Sequence, residues 1–548
     1  MNEHIEINPG FRRALDLLEG PSRCVFITGR AGTGKSTLLR LFKESSRRSQ
    51  AVLAPTGVAA LNVGGQTVHS FFGFKPGVTP EKAGRLARAA AKKSKGAVYR
   101  ALEILIIDEV SMVRPDLLDC ADTFLRSVRE QHKLPFGGVK AVLIGDLHQL
   151  PPVLKNTERE AFSRAYAGNY FFDSRVFKEL RLDVVELTKV YRQSDDGFIG
   201  LLNAVRAACA TPAQLEALNA RHLPGFEPPA GELYVQLTTT NQRAAGLNAE
   251  RLAGLRSPPG FYDGFLDGEF DEAALPTEES LELKAGAQVM MLNNDPGGRW
   301  VNGTMGVVTA LEPGAARVRL ETDQGGIVRN RCREQCDRPG PVVNVGPHTW
   351  ELLRYAYDEK AGRLRTETAG TFMQLPLRLA WAVTIHKSQG KTFDRMILDL
   401  EGGIFASGQL YVALSRCRTL DGIVLRHPIK PWHARTDARV ADFMKSVRAA
   451  DLAAPTAAPA LPSPVSPAAD APRAAVSAGL RRAIKEGRSV EIVYLSAGAE
   501  TTRRVVKPVF LGNFTSGGRT YEGFRARCSL RREERLFRVD RVLELHEV

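Results

Sequence analysis

Nine consecutive residues, Gly29-Arg30-Ala31-Gly32-Thr33-Gly34-Lys35-Ser36-Thr37, combine three glycines with a lysine and a hydroxyl at fixed spacing. Such a loop lets backbone N–H groups curl around the phosphates of a nucleotide, and the helix that follows adds its dipole. Lys35 would reach the β and γ phosphates, while the Ser36 hydroxyl would coordinate Mg²⁺. Gly29, Ala31, Gly32, Thr33, Gly34 and Thr37 complete the cradle. Asp108-Glu109 offers adjacent carboxylates, Asp108 to hold Mg²⁺ and Glu109 to orient or deprotonate an attacking water. That pair separates hydrolysis from mere binding. A third segment, Gly145 to Val153, presents the amide of Gln149, which can contact the γ phosphate and report its loss; Pro151 and Pro152 stiffen the loop beside it.

Each of these motifs follows a short apolar run. Cys24 to Thr28, Ala51 to Ala54, Ile104 to Ile107 and Ala141 to Ile144 lack the alternation of a half-exposed strand, so each reads as a parallel strand buried on both faces. Ligands in open α/β sheets sit at the carboxyl ends of the strands, which sends the four polar segments to one crevice. A second α/β half is expected from Tyr234 to Thr238, Ala382 to Ile385, Met396 to Leu400 and Gly422 to Leu425. Between its strands, residues 301–372 read as an inserted small β domain. The Ala, Lys and Arg-rich stretch from Lys75 to Arg100 fits a smaller insertion or simply a solvated basic face.

The chain has 548 residues, too many for one hydrophobic core, and its 75 Lys and Arg exceed 61 Asp and Glu to leave a formal charge of +14. That excess favours a polyanionic partner without naming it. No uninterrupted apolar stretch of about 18 residues occurs, and the N-terminus has no apolar leader, so a cytoplasmic protein without a membrane span is expected. Seven scattered cysteines fit reduced thiols; Cys332 and Cys336 have no second pair at zinc spacing, and no zinc is expected. From Asp451 to Ala475 the chain turns to Ala and Pro and reads as a linker. Residues 477–548 then carry 15 Arg and Lys against nine acids, with strand candidates at Val490 to Tyr494, Arg504 to Phe510, Tyr521 to Cys528 and Arg535 to Val539, the pattern of a small β-barrel.

The glycine-rich loop, Ala54-Pro-Thr-Gly-Val-Ala-Ala60, Thr67-Val-His-Ser-Phe71, Ile107 to Met112 and the Gln149 loop resemble successive motifs of the Pif1 family of superfamily 1 helicases. Leu187 to Gln193, Thr239-Thr-Asn241, Leu283 to Met291, Trp300 to Gly303, Trp381 to Gly390 and Gln409 to Arg416 resemble later ones. The resemblance implies an α/β fold with two RecA-like cores, residues 1–195 and 196–448, and ATP between them. It implies a short wedge insertion at about 72–100 and an SH3-like module over 301–372. It adds Gly390 to the nucleotide site and makes Arg192 and Arg416 the groups that approach the γ phosphate; taken alone, either reads as an ordinary surface or ion-paired arginine. It further implies 5′ to 3′ movement on single-stranded DNA, with single-strand/duplex junctions as partners. Contacts to the strand would come from Pro55, Thr56, His69, Ser70, Phe71, Thr240, Asn241, His386 and Ser388. The rings of His69, Phe71 and His386 suit base stacking, yet core packing explains each equally well. One departure is Phe11, which stands where many relatives have a Gln that reads adenine, and this puts base selectivity in question.

After a linker at 449–476, the tail at 477–548 resembles a WYL domain through Tyr494, Arg504, Pro508, Ala526-Arg-Cys528 and Arg535 to Arg541, with Glu522-Gly523-Phe524 in place of the naming tripeptide. The resemblance implies a nucleic-acid or nucleotide ligand, for which Arg504, Arg525, Arg527, Arg538 and Arg541 are candidates; some would instead pair with Glu533, Glu534 or Asp540. The chain is expected to be monomeric in isolation. A DNA-linked ATPase sensor or remodeller controlled through the tail is the alternative, and it would not need the strand-groove residues together with both arginines.

Overall fold

A computed structural model describes residues 7–154, 156–193, 195–270, 275–321, 340–453, 470–495, 501–516, 519–528, 534–539 and 542–547. Two compact units divide it, Met1–Leu452 and Ala453–Val548.

In the first unit, strands β1 (Cys24–Gly29), β2 (Gln50–Ala54), β3 (Gln66–Thr67), β4 (Ile104–Ile107), β5 (Lys140–Gly145) and β6 (Leu182–Leu187) form one sheet in the order β3-β2-β4-β5-β1-β6. All of its pairings are parallel. The four expected strands are present; β3 and β6 are additional. Their side chains split between two cores by the period-two rule. Cys24, Phe26, Ala51, Leu53, Leu105, Ile107, Ala141 and Leu143 face one cluster, whereas Val25, Ile27, Val52, Ile104, Ile106, Val142 and Ile144 face the other. Burial on both faces explains why the sequence showed apolar runs without alternation.

Helix α1 (Pro9–Glu19) starts with Pro9 in its first turn, and the Asn8 side chain caps it by accepting from Phe11 N. It packs with α2 (Lys35–Ser45) on the second of these cores through Phe11, Ala14, Leu18, Leu38, Leu39 and Phe42. The expected wedge at 72–100 proves to be two helices, Pro80–Ala91 and Lys95–Ala101. Their inner residues Ala83, Ala87, Val98 and Tyr99 join the first core, so the segment lies on that core's flank and turns its lysines and arginines outward.

The second sheet runs Ala382–Thr384, Val235–Thr238, Met396–Leu398, Ile423–Leu425, again all parallel. The inserted β region is wider than 301–372: strands begin at Pro259–Asp263 and continue to Leu377–Leu379. The early strands turn apolar residues such as Phe261 and Phe265 to solvent and so lack the pattern of a buried strand. Five antiparallel strands of this region bury Val289, Met291, Val308, Val318 and Val345 in their own cluster. A long hairpin, His348–Asp358 with Arg363–Gln374, reaches the first core, where the Tyr355 hydroxyl accepts from Val52 N at 2.8 Å.

The second unit is a five-stranded antiparallel sheet in the order Glu534–Arg538, Arg519–Cys528, Thr501–Ser516, Val490–Leu495, Val542–Glu547. Helix Asp470–Glu486 sends Leu480 and Ala483 into the core made by Ile492, Val506, Phe524 and Phe537. Helix therefore intrudes on both ends of the expected 449–476 linker, since Ala438–Ala453 is helical as well. Alanine, which dominates there, is the best helix former. No helix among the described residues is long and apolar enough to cross a membrane.

Candidate nucleotide site and strand surface

The glycine-rich loop leaves β1 at Gly29 and turns through left-handed backbone at Gly32 (φ +79°) and Gly34 (φ +85°) into α2. A Cβ on Gly32 would lie 2.5 Å from the Arg192 side chain, and one on Gly34 would lie 2.8 Å from the Phe11 ring. Glycine is thus needed for conformation and for space at both positions. Phe11 itself is a core residue, 2 % exposed, and forms a hydrophobic plug under the loop.

Lys35 begins α2 and is half-buried; its Nζ donates to Gly29 O at 2.8 Å and Arg30 O at 3.0 Å. Burial lowers its pKa, against the opposing pull of Asp146, Glu109 and Asp108. Asp108 and Glu109 follow β4 directly, and burial raises both carboxyls. For Glu109, burial and then the Asp108 charge bring it to about 7. Glu109 also holds a left-handed backbone (φ +49°), which for a non-glycine residue costs roughly 1–3 kcal/mol and is typical of functional sites.

From the opposite side, the helix Gln409–Leu414 of the second core brings two groups to the loop. The Tyr411 hydroxyl accepts from Ala31 N at 2.9 Å. Arg416, just past the helix, is 2 % exposed and donates to Val412 O (2.9 Å), Ser415 Oγ (3.0 Å) and Lys391 O (3.4 Å). Burial, then the neighbouring Arg192, brings its pKa down to about 9. Arg192 donates to Ser415 O at 3.2 Å, and Gln193 to Ser415 O and Cys417 O at 3.2 and 3.1 Å. Gln389 Nε2 donates to Gln149 Oε1 at 3.3 Å. A cavity of about 980 Å³ is lined by Ala31 to Thr37, Glu109, Gln149, Arg192, Gly390 and Arg416. Nearly every expected nucleotide residue therefore meets in one cleft. Ser36 and Asp108 offer a hydroxyl and a carboxylate, hard oxygen donors that suit Mg²⁺.

Two contacts here were not expected from sequence. Asp146, wholly buried after β5, accepts from Arg206 Nη2 at 2.9 Å, and Arg206 lies on the helix Asp196–Arg206 that packs in the second core. Burial would raise the Asp146 carboxyl, but Arg206, Lys35 and His148 hold it at about 2. Tyr411 lay within a quoted motif, whereas Arg206 was a single arginine on an apolar helix and gave no signal.

The strand-surface candidates divide. Pro55, Thr56, His69 and Ser70 lie at the carboxyl edge of the first sheet, Thr240, Asn241 and His386 at that of the second; Thr56, Ser70, Thr240 and Asn241 are exposed and His69 and His386 half-buried. Thr56 and Thr240 cap their helices by accepting from Ala59 N and Arg243 N. Two candidates are corrected. Phe71 is 2 % exposed and packs edge-on against Phe72, Tyr99 and Tyr355, because the helix Val68–Phe72 turns that face to the core. Ser388 is wholly buried and its hydroxyl donates to Ile385 O at 2.8 Å, closing a turn.

In the second unit, Arg525 is exposed with its guanidinium 5.4 Å from the Phe510 ring centre, and Arg538 N donates to Tyr494 Oη at 3.2 Å. Arg504 and Arg527 lie on strands, but their side chains, like Arg541, fall outside the described residues. So do Cys332 and Cys336; among the described residues no cluster of metal ligands occurs.

The family model for PIF1-like helicase matches residues 13–206, and that for the WYL domain matches residues 475–547. The chain is 37% identical to the human ATP-dependent DNA helicase PIF1 over 449 residues, which is 79% of this chain and 62% of that protein. It is 35% identical to the ATP-dependent DNA helicase Pif1 of Bdellovibrio bacteriovorus, covering 80% of this chain and 92% of that one. Bacteroides sp Pif1 in complex with ADP-AlF4 superposes with a TM-score of 0.72 at 37% identity, over 81% of this chain and 98% of that one. Bacteroides Pif1 bound to ssDNA gives 0.57 at 36% identity, over 82% and 98%. With a cleft shared by two parallel sheets, about three fifths of the human relative's length matched and bacterial relatives matched over 92% and 98% of theirs, the chain belongs to the PIF1-like helicase family and carries a WYL domain at its C-terminal end.

Proposed function

We propose that this chain is an ATP-driven DNA helicase that moves 5′ to 3′ along single-stranded DNA and opens single-strand/duplex junctions, as a monomer in the cytoplasm. The observation that carries the reading is the cleft in which Arg416 from the second core faces Lys35 and Glu109 from the first, with Tyr411 beside it bonded to Ala31 N. ATP phosphates would lie in the Gly29 to Thr37 cradle with Lys35 on the β and γ groups. Mg²⁺, held by Ser36 and Asp108, would neutralise charge that builds on the phosphates. Glu109, at about 7, accepts a proton from the attacking water near neutral pH. Arg192 and Arg416 meet the charge on the departing γ phosphate; because Arg416 belongs to the second core, this completes the site only when the cores are closed. Gln149, bonded to Gln389, senses the same phosphate. Release would let the cores part, and alternate closing and opening would advance a strand held along the two sheet edges. Phe11 leaves the base without an amide from that position, which favours tolerance of bases other than adenine.

The WYL unit would bind nucleic acid or a nucleotide through arginines such as Arg525 and Arg538 and tune the motor. Strand displacement from duplexes with a single-stranded tail at either end tests the proposal. The 5′-tailed duplex should open with ATP and the 3′-tailed one should not; the reverse would overturn the polarity, and neither would overturn unwinding.

A further inference from the structure

Phe261 and Phe265 lie in consecutive short strands of the inserted β region, Pro259–Asp263 and Phe265–Gly268, and are 63 % and 61 % exposed. Single apolar residues on a surface are ordinary, so what decides their meaning is the arrangement around them. Exposure alternates without a break across Gly264: Phe261, Asp263, Phe265 and Asp267 are exposed, whereas Tyr262, Gly264 and Leu266 are half-buried. The inward residues hold the backbone. The Tyr262 hydroxyl lies 3.0 Å from both Glu312 O and Ala315 O, Gln374 Nε2 donates to Tyr262 O at 2.8 Å, and Leu266 packs on the cluster of Leu292, Trp350 and Phe372. A Cβ on Gly264 would stand 2.5 Å from the Phe372 ring, so the chain is pressed against that cluster. Both phenyl rings are therefore presented by a fixed backbone. Strand pairing widens the patch: Phe265 is directly opposite Met373, which is 43 % exposed, and Met373 is opposite the exposed Thr349. The next row on that face is Asp267, Thr371 and Glu351.

The charge around these rings is opposite in sign to that of the whole chain. Residues 259–284 contain eight Asp and Glu against one Lys, in a protein of formal charge +14. Such a surface repels a phosphate backbone, whereas a protein face that sets apolar groups among lysines and arginines matches it in both respects. We propose that this outward face of the inserted region, centred on Phe261, Phe265 and Met373, docks a basic, apolar segment of a partner protein. The rings and the adaptable methionine supply the contact area that is buried on docking, and Asp263, Asp267 and Glu351 supply the charge that selects and orients the partner. None of these residues lines the nucleotide cleft, so the surface can be altered without touching the chemistry there.

Fluorescence anisotropy of a labelled peptide of alternating lysine and leucine, titrated with the full chain, tests this beside two control peptides, one with glutamate for lysine and one with serine for leucine. The lysine and leucine peptide should bind, less tightly as salt is raised, and both controls should bind about 10-fold more weakly or worse. Phe261→Ser combined with Phe265→Ser should weaken that binding on the order of 10-fold or more, as loss of central aromatic contacts does, and Asp263→Asn combined with Asp267→Asn should flatten its salt dependence. Exposed positions tolerate such changes, so both variants should keep the wild-type melting temperature and ATP hydrolysis; the aspartate variant, which removes charge and no contact area, keeps the test decisive. Absence of binding, or binding that both variants leave unchanged, would overturn the proposal. A loss of oligo-dT affinity in the phenylalanine variant would make the occupant a nucleic acid and overturn it too. So would sedimentation that shows a wild-type dimer and a monomeric phenylalanine variant, since the occupant would then be a second copy of the chain.

Discussion

Replacing Arg206 with Met strands a carboxylate where water does not reach. Asp146 is 0 % exposed and Arg206 8 %, and the Nη2 to Oδ1 contact of 2.9 Å is the charged partner that Asp146 has from the second core. Its other oxygen, Oδ2, has no hydrogen-bond partner among the described residues. Removing one member of a buried ion pair costs about 3–5 kcal/mol, because the remaining charge stays desolvated. Unfolding entropy of about 2.1 cal/mol/K per residue makes roughly 1 kcal/mol/K for a cooperative unit of this size, so the first unit should melt about 3–5 °C lower. The pH dependence has a definite sign. With Arg206 present the carboxyl sits at about 2, below the unfolded value near 3.9, so its contribution is full above pH ~4 and is lost as pH falls toward 2. Without Arg206 the largest influence that lowers the carboxyl is gone while burial, the leading one, remains, so the carboxyl should rise above its unfolded value. The penalty is then absent below pH ~4 and grows as pH rises. Thermal unfolding followed by circular dichroism at pH 5 and pH 8 should show the larger loss at pH 8, and Asp146→Asn combined with Arg206→Met should recover most of it. A melting shift below about 1 °C at pH 8, or a double variant no more stable than Arg206→Met, would refute the reasoning.

Hydrolysis should rise with pH through about 7, because the raised Glu109 carboxyl gains its basic form only above that value. Glu109→Gln should lower kcat by about 10²- to 10⁴-fold and abolish that rise; a retained profile would assign it to another group. Phe71→Ala should cost about 3–5 kcal/mol in denaturant unfolding, as expected for a buried ring, while changing oligonucleotide affinity little. A selective loss of affinity with stability intact would restore Phe71 to the strand surface.

What could be read from the residues was set by the range of the interactions. The Gly29 to Thr37 loop and the strands before it were legible because spacing and burial on both faces are local properties of the chain. Phe71 and Ser388 sit in the same motifs as exposed neighbours, and only the rotation of the helix Val68–Phe72 and the turn at Ile385 decide that they face inward. Arg206 and Asp146 are 60 residues apart, and neither residue announces the other until the two cores close on them. The early strands of the inserted region, with Phe261 and Phe265 outward, lack the buried alternation that marked the later ones. Helix Asp470–Glu486 was hidden in an Ala and Pro-rich stretch because composition suggested an extended chain, whereas its folding depends on Leu480 and Ala483 meeting the sheet.

The coupling of nucleotide chemistry to a DNA strand is tested most directly by the rate of ATP hydrolysis as single-stranded DNA is titrated into the full chain. The account predicts that turnover climbs to a plateau with added strand and that Lys35→Ala, which loses the phosphate-binding ammonium, shows none while still binding the oligonucleotide. Rapid turnover that ignores the strand, or a Lys35→Ala chain that hydrolyses ATP as the wild type does, would contradict it.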